Sequence, residues 1–173
     1  MPDIFFVSDT HWGHSNILNF TCSISGNKVR TFDDVNHMNE HMVNQWNSVV
    51  KPNSKVYHLG DVAMNKKGLE YLHRCNGEKV LIRGNHDLEK LHVYQEYFKD
   101  VRGCHQFDGM LLTHIPVHPD SLGRWGYNVH GHLHTNRVMN SAGHPDPRYL
   151  CVCMEQLDDY TPISLEQLKK AMK

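Results

Sequence analysis

The chain has 173 residues, read as one domain spanning 1–173, long enough to bury its own core. Hydrophobic residues make up 39% and charged residues 21%, which excludes a disordered chain. With 18 Lys and Arg against 19 Asp and Glu, the formal charge of −1 excludes bulk attraction to nucleic acid or anionic lipid as the organising feature.

In chain order, the first apolar run, at 4–8, stops at Asp9-Thr10-His11 and reads as a strand, with a short segment at 15–20 beyond it. Val35, Met38, Met42, Trp46 and Val49 then recur at spacings of three and four, one face of a helix that Asp33 or Asp34 would cap. A strand at 56–59 runs into Gly60-Asp61, and Leu69, Leu72 and His73 mark a short second helix. The run at 80–83 ends at Gly84-Asn85-His86-Asp87; Leu88, Leu91, Tyr94 and Phe98 stripe a third helix, which Asp87 is placed to cap. Strands at 110–113 and 128–130 run into His114 and into Gly131-His132-Leu133-His134. A late strand at 149–154 precedes Ser164-Leu165-Glu166-Gln167, a capping box opening a terminal helix. Alternating strands and helices predict an α/β fold, in which ligands gather beyond the carboxyl ends of the strands.

Five of these strands end at a polar cluster, and the chain holds 15 His. Imidazole suits metals and proton transfer. Asp9 and His11 are two apart, so extended backbone would point both to one side, and the same parity holds for His132 and His134. With Asp61, Asn85 and His114 they make four imidazoles, two carboxylates and one amide. Seven ligands exceed what one tetrahedral ion takes, whereas one carboxylate shared between two ions gives four each. A set without thiolate fits manganese, iron, zinc, nickel or cobalt. Gly60, Gly84 and Gly131 each precede a ligand, where a missing side chain admits close approach.

Asp-x-His, Gly-Asp, Gly-Asn-His-Asp, a lone His and Gly-His-x-His, in that order from Asp9 to His134, resemble the calcineurin-like metallophosphoesterases. The stretches 8–14 and 57–61 are similar to those of small single-domain bacterial and phage members. The resemblance implies an αββα sandwich of two mixed β-sheets flanked by helices, with the late strand and terminal helix in the second sheet. It implies two divalent ions, manganese favoured, held by Asp9, His11, Asp61 and His134 and by Asp61, Asn85, His114 and His132, with Asp61 the bridge. A hydroxide held between the ions would attack phosphorus, and His86 would be the general acid on the leaving oxygen.

Several residues carry two readings. His14 either opens the segment at 15–20 or faces the substrate phosphate; Arg83 binds phosphate or forms an ion pair. The loop at 116–126, with Arg124 and Trp125, is expected to wall the pocket, its indole stacking on a base or packing. His130 is expected behind the ligands rather than among them. The element after Gly60-Asp61 is Val62-Ala63-Met64-Asn65, unlike that of the superfamily's protein phosphatases, and only 39 residues follow His134, too few for a nuclease's capping domain. The expected activity is hydrolysis of a small phosphodiester, nucleotide-like, with a phosphomonoesterase or a nuclease on short DNA or RNA as alternatives and a non-catalytic scaffold last. Five cysteines without a CxxC pair, a start too short and acidic for a signal peptide, and no long apolar run predict a cytoplasmic protein without a membrane partner.

Overall fold

The computed structural model describes residues 2–172. Its elements are β1 (Ile4–Val7), α1 (Val35–Val49), β2 (Lys55–His58), α2 (Lys66–Leu69), β3 (Glu78–Ile82), α3 (Leu91–Tyr94), β4 (Asp100–Arg102), β5 (His105–Phe107), β6 (Met110–Leu112), β7 (Tyr127–His130), β8 (Tyr149–Cys151), β9 (Ile163–Ser164) and α4 (Leu165–Ala171). They build two mixed sheets flanked by helices, of order β4-β3-β2-β1-β9 and β5-β6-β7-β8. In the first sheet β1 to β4 are parallel and β9 is antiparallel; in the second, β5 alone runs against its neighbour.

The strands read as near-continuous apolar runs because both faces of the first sheet are covered. Phe5, Val7, Val56 and Leu81 face Met38, Met42 and Trp46 of α1 with Leu69 and Leu72, whereas Phe6, Tyr57, Val80 and Ile82 face Met110, Leu112 and Val129 of the second sheet. Each such side chain, taken fully out of water, contributes about 1.5–3 kcal/mol. The cap of α1 is Asp34, whose carboxylate accepts the amides of Asn36 and His37 at 2.7 and 2.8 Å, worth about 1 kcal/mol. On the outer face of the second sheet lies the loop at 115–126. Asn128 Oδ1 accepts the Val117 amide at 3.0 Å, and the Tyr149 hydroxyl donates to the Val117 carbonyl at 2.8 Å.

The extent of the third helix, the Asp87 cap and the place of the terminal helix are corrected. The third helix is only Leu91–Tyr94; Leu88 is 80% exposed, and Asp87 caps nothing there, the N-cap being Lys90. The late strand is β8 in the second sheet, but the terminal helix follows β9, which pairs with β1 of the first. Strands β4 and β5, three residues each, carry too little pattern to be read from the sequence.

Parallel strands turn their carboxyl ends to one side, and short links join those ends. Asp9 N–H donates to Gly60 O at 2.9 Å, Gly131 N–H to His114 O at 2.9 Å, and Ser8 N–H to Val152 O at 2.8 Å, the last tying one sheet to the other. The polar clusters of five strands therefore meet at one rim.

Candidate metal centre

Two triads stand side by side there. Asp9, His11 and His134 offer ligand atoms within 4.8 Å of one another, as do Asp61, His114 and His132. Strand parity is not what aims them. Asp9, His11, Asp61, His132 and His134 all have left-handed backbone, with φ from 48° to 70°, five of the eight such non-glycine residues among those described. Each costs roughly 1–3 kcal/mol, strain that persists where surrounding structure enforces it, as at functional sites. The glycines are what let these turns touch. A Cβ on Gly84 would lie 2.3 Å from Asp61 Oδ1, and one on Gly131 2.4 Å from Asp9 Oδ2.

Hydrogen bonds fix one oxygen of each carboxylate and leave the other to the centre. Asp9 Oδ2 accepts from His132 N–H at 2.9 Å and from the Cys153 thiol at 3.1 Å; Oδ1 is buried without a partner, 3.8 Å from both His11 Nε2 and His134 Nε2. Asp61 Oδ1 accepts from His86 N–H at 2.8 Å, while Oδ2 lies 3.9 Å from His11 Nε2 and 3.4 Å from His114 Nε2, one from each triad. Both nitrogens of His11 are buried and unpartnered. Buried polar atoms are almost always paired, so an unpartnered carboxylate oxygen beside an unpartnered imidazole fits a divalent cation. The second triad reaches Asn85, whose Oδ1 is 2.9 Å from His114 Nε2.

Charge follows from these neighbours. Burial opposes ionisation of Asp9, but His11, His114 and His134 outweigh it and hold the carboxyl far below the usual range. Burial likewise disfavours the His114 cation, yet Asp61 and Asp9 raise its pKa to about 9, and its Nδ1–H donates to Leu59 O at 2.7 Å. Without metal, a proton on Nε2 stands where a cation would.

The structure brings all seven expected ligand residues to this rim, with His86 and His14 beside them. The His86 and His14 rings lie 5.9 and 5.7 Å from that of His11. Burial first, then the charges of His11 and Arg30, push His14 down to about 4. Asp87 ties strand ends together instead of capping a helix: its carboxylate accepts the amides of Asp61, Val62 and Gly84 at 2.8–2.9 Å. Arg83 forms no ion pair among the described residues; it donates to Asp87 O and Glu89 O at 2.7 and 2.8 Å and covers the Tyr94 ring. Arg124 and Trp125 end the 3-10 turn Pro119–Arg124 over the second sheet, and neither lines the recesses flanking the triads. His130 is buried and hydrogen-bonded to Gly131 O at 2.8 Å.

Other side chains escape sequence reasoning. Glu155 Oε1 accepts from His134 Nδ1–H at 3.0 Å and from Arg30 Nε–H at 2.7 Å, and the fully buried Arg30 donates on to Thr10 O at 2.9 Å and to Asp9 O. Phe20 and Met64, 49% and 42% exposed, with Ile17, wall a recess of about 240 Å³ against His11, His14, His86 and His134. Nothing local in the sequence links Arg30 to Glu155.

No family model matches the sequence. The chain is 33% identical over 180 residues to the uncharacterised protein MJ1445 of Methanocaldococcus jannaschii, across all of this chain and 93% of that one, and it belongs to that protein's family. A solved structure of a protein of unknown function from Aquifex aeolicus, AQ665, is 27% identical and superposes with a TM-score of 0.72 over 98% of this chain and 99% of that one. An archaeal phosphodiesterase aligns over 87% of this chain and 82% of its own at 18% identity and a TM-score of 0.47, a loose likeness that says nothing of chemistry.

Proposed function

We propose that this protein is a calcineurin-like metallophosphoesterase that hydrolyses a small, nucleotide-like phosphodiester using two divalent ions, manganese favoured. Asp9, His11, Asp61 and His134 would hold one ion, and Asp61, Asn85, His114 and His132 the other. The observation that carries this reading is Asp61 Oδ2, which faces His11 Nε2 at 3.9 Å and His114 Nε2 at 3.4 Å, the place of a shared ligand. When bound, such ions supply charge for the phosphoryl oxygens and lower the pKa of an attacking water.

The chain's own residues do the rest. His86 is exposed, edge-on to His11, and lines the recess, so its ring can pass a proton to an oxygen leaving in that direction. Its backbone amide meanwhile holds Asp61 in place. His14, neutral at pH 7, can donate a hydrogen bond to the phosphoryl group without competing with the ions for charge. Ile17, Phe20 and Met64 offer an apolar surface for a planar group such as a base. Among the described residues no Lys or Arg lines this recess, which favours a small ester over a long polyanion. Five free cysteines support a reducing, cytoplasmic setting, and no described helix is long and apolar enough to cross a membrane.

Hydrolysis of bis(p-nitrophenyl) phosphate with added manganese tests the proposal. Turnover that stops on chelation and returns with manganese is expected. Silence of the metal-loaded protein on this ester, on cyclic nucleotides and on phosphomonoesters would overturn it.

A further inference from the structure

We propose that Glu155 is a positioning residue for His134, and that it makes the Asp9–His11–His134 position the one that takes the first metal ion. This rests on the metal-dependent reading above and goes beyond it, because the two triads are each one aspartate and two histidines, yet different groups stand behind them.

Behind the first triad, Asp9 and His134 are both held. Glu155, its side chain 1% exposed, accepts from His134 Nδ1–H and so leaves the Nε2 lone pair for the centre. Arg30, its side chain 0% exposed, holds the same Glu155 oxygen and also donates to the carbonyls of Asp9 and Thr10. One guanidinium thereby clamps the turn bearing Asp9 and the carboxylate that aims His134, residues 125 apart in sequence from Arg30 to Glu155. Cys153 and His132 N–H fix Asp9 Oδ2. The His11 ring is stacked on that of His134 at 5.3 Å.

Satisfaction separates the two positions further. In the first, Asp9 Oδ1 and His11 Nε2 are buried with no partner, a cost that a cation relieves. In the second, His114 Nε2 lies 2.9 Å from Asn85 Oδ1 and 3.4 Å from Asp61 Oδ2, and Asn85 is exposed, so this position is open to water. His132 is only half-buried there, and no hydrogen bond among the described residues holds its ring. His114 is aimed as well, its Nδ1–H on Leu59 O at 2.7 Å, so the first position's advantage is its buried unpartnered atoms and an aimed His134 where the second has the unheld His132. Partners that orient a ligating histidine are typically worth about 10–100-fold in metal affinity.

The test is cobalt binding, read apart from catalysis. Crystals of the wild-type chain grown with one equivalent of Co²⁺ should show anomalous density at Asp9, His11 and His134, and a calorimetric titration should show two steps. In Glu155→Gln the first step should weaken by about tenfold or more while the second stays within about twofold. First density at Asp61, His114 and His132, or an equal change in both steps, would overturn the proposal. Should Glu155→Gln fail to fold around the buried Arg30, the wild-type crystal alone decides the order of filling. Absence of cobalt from both positions would overturn the inference together with the proposed function, whereas two ions filling in the opposite order would leave that function standing.

Discussion

Asp61 gives its two oxygens different work: Oδ1 is tied to the His86 amide, and Oδ2 faces an imidazole from each triad. Asp61→Asn should therefore lower kcat at least ~100-fold and bring bound manganese below two equivalents; two retained equivalents would count against the shared ligand. His86→Ala should slow alkoxide esters by about 10²–10⁴-fold and nitrophenyl esters far less, since a nitrophenolate leaves without a proton. Equal losses would remove the acid assignment. His58 bears on stability rather than chemistry. It is fully buried, its Nε2 2.9 Å from the Thr10 hydroxyl between two ligand residues, and burial above all pushes its pKa down to about 3. Below pH 6.5 the unfolded chain takes up a proton that the fold refuses, so this contribution is whole above 6.5 and is lost on acidification, by about 1.4 kcal/mol per pH unit towards 3. Urea unfolding of the metal-free protein should show that acid limb, and His58→Gln should flatten it. Which residues meet at the rim was legible because residue type and order survive in a sequence. How they are aimed was not: Asp9 and His11 were expected on extended backbone, and both are left-handed.

At the scale of elements, the site is a set of strand ends brought within contact. Gly84 and Gly131 are where that contact is closest, and a side chain at either must displace Asp61 or Asp9. Gly84→Ala should cost metal binding before it costs the fold: circular dichroism close to wild type, hydrolysis down at least ~100-fold. A variant with full activity would show the close approach to be incidental. The strands β1, β2, β3, β6 and β7 were legible as apolar runs that stop at polar clusters. The third helix was not, because Leu88 fits a helical stripe yet lies in a loop exposed to solvent. The Arg30–Glu155 pair was invisible for a related reason: it joins the turn after β1 to the segment after β8, a closeness only the packed sheets create.

For the whole molecule, the formal charge of −1 and a recess beside His11 and His86 whose described lining carries no Lys or Arg go with the proposed small ester. A protein neutralising 6–10 phosphates would lose about 10³–10⁵ in affinity between 50 and 200 mM salt. Here kcat/KM on a mononucleotide diester should move by no more than about threefold over that range, and a steep loss would favour the nuclease reading. Metal binding should also release protons. Below the His114 pKa of about 9 its imidazole must give one up, so manganese affinity should rise with pH from 6.5 to 9. On the proposed reading, the packing of the two sheets brings together the side chains that would hold two ions, Asp61 serving both sets. The most direct measurement is anomalous diffraction from crystals saturated with manganese. Two peaks roughly 3.5–4 Å apart, flanking Asp61 Oδ2, are expected; a single peak, or none with the seven side chains as they stand, would contradict it.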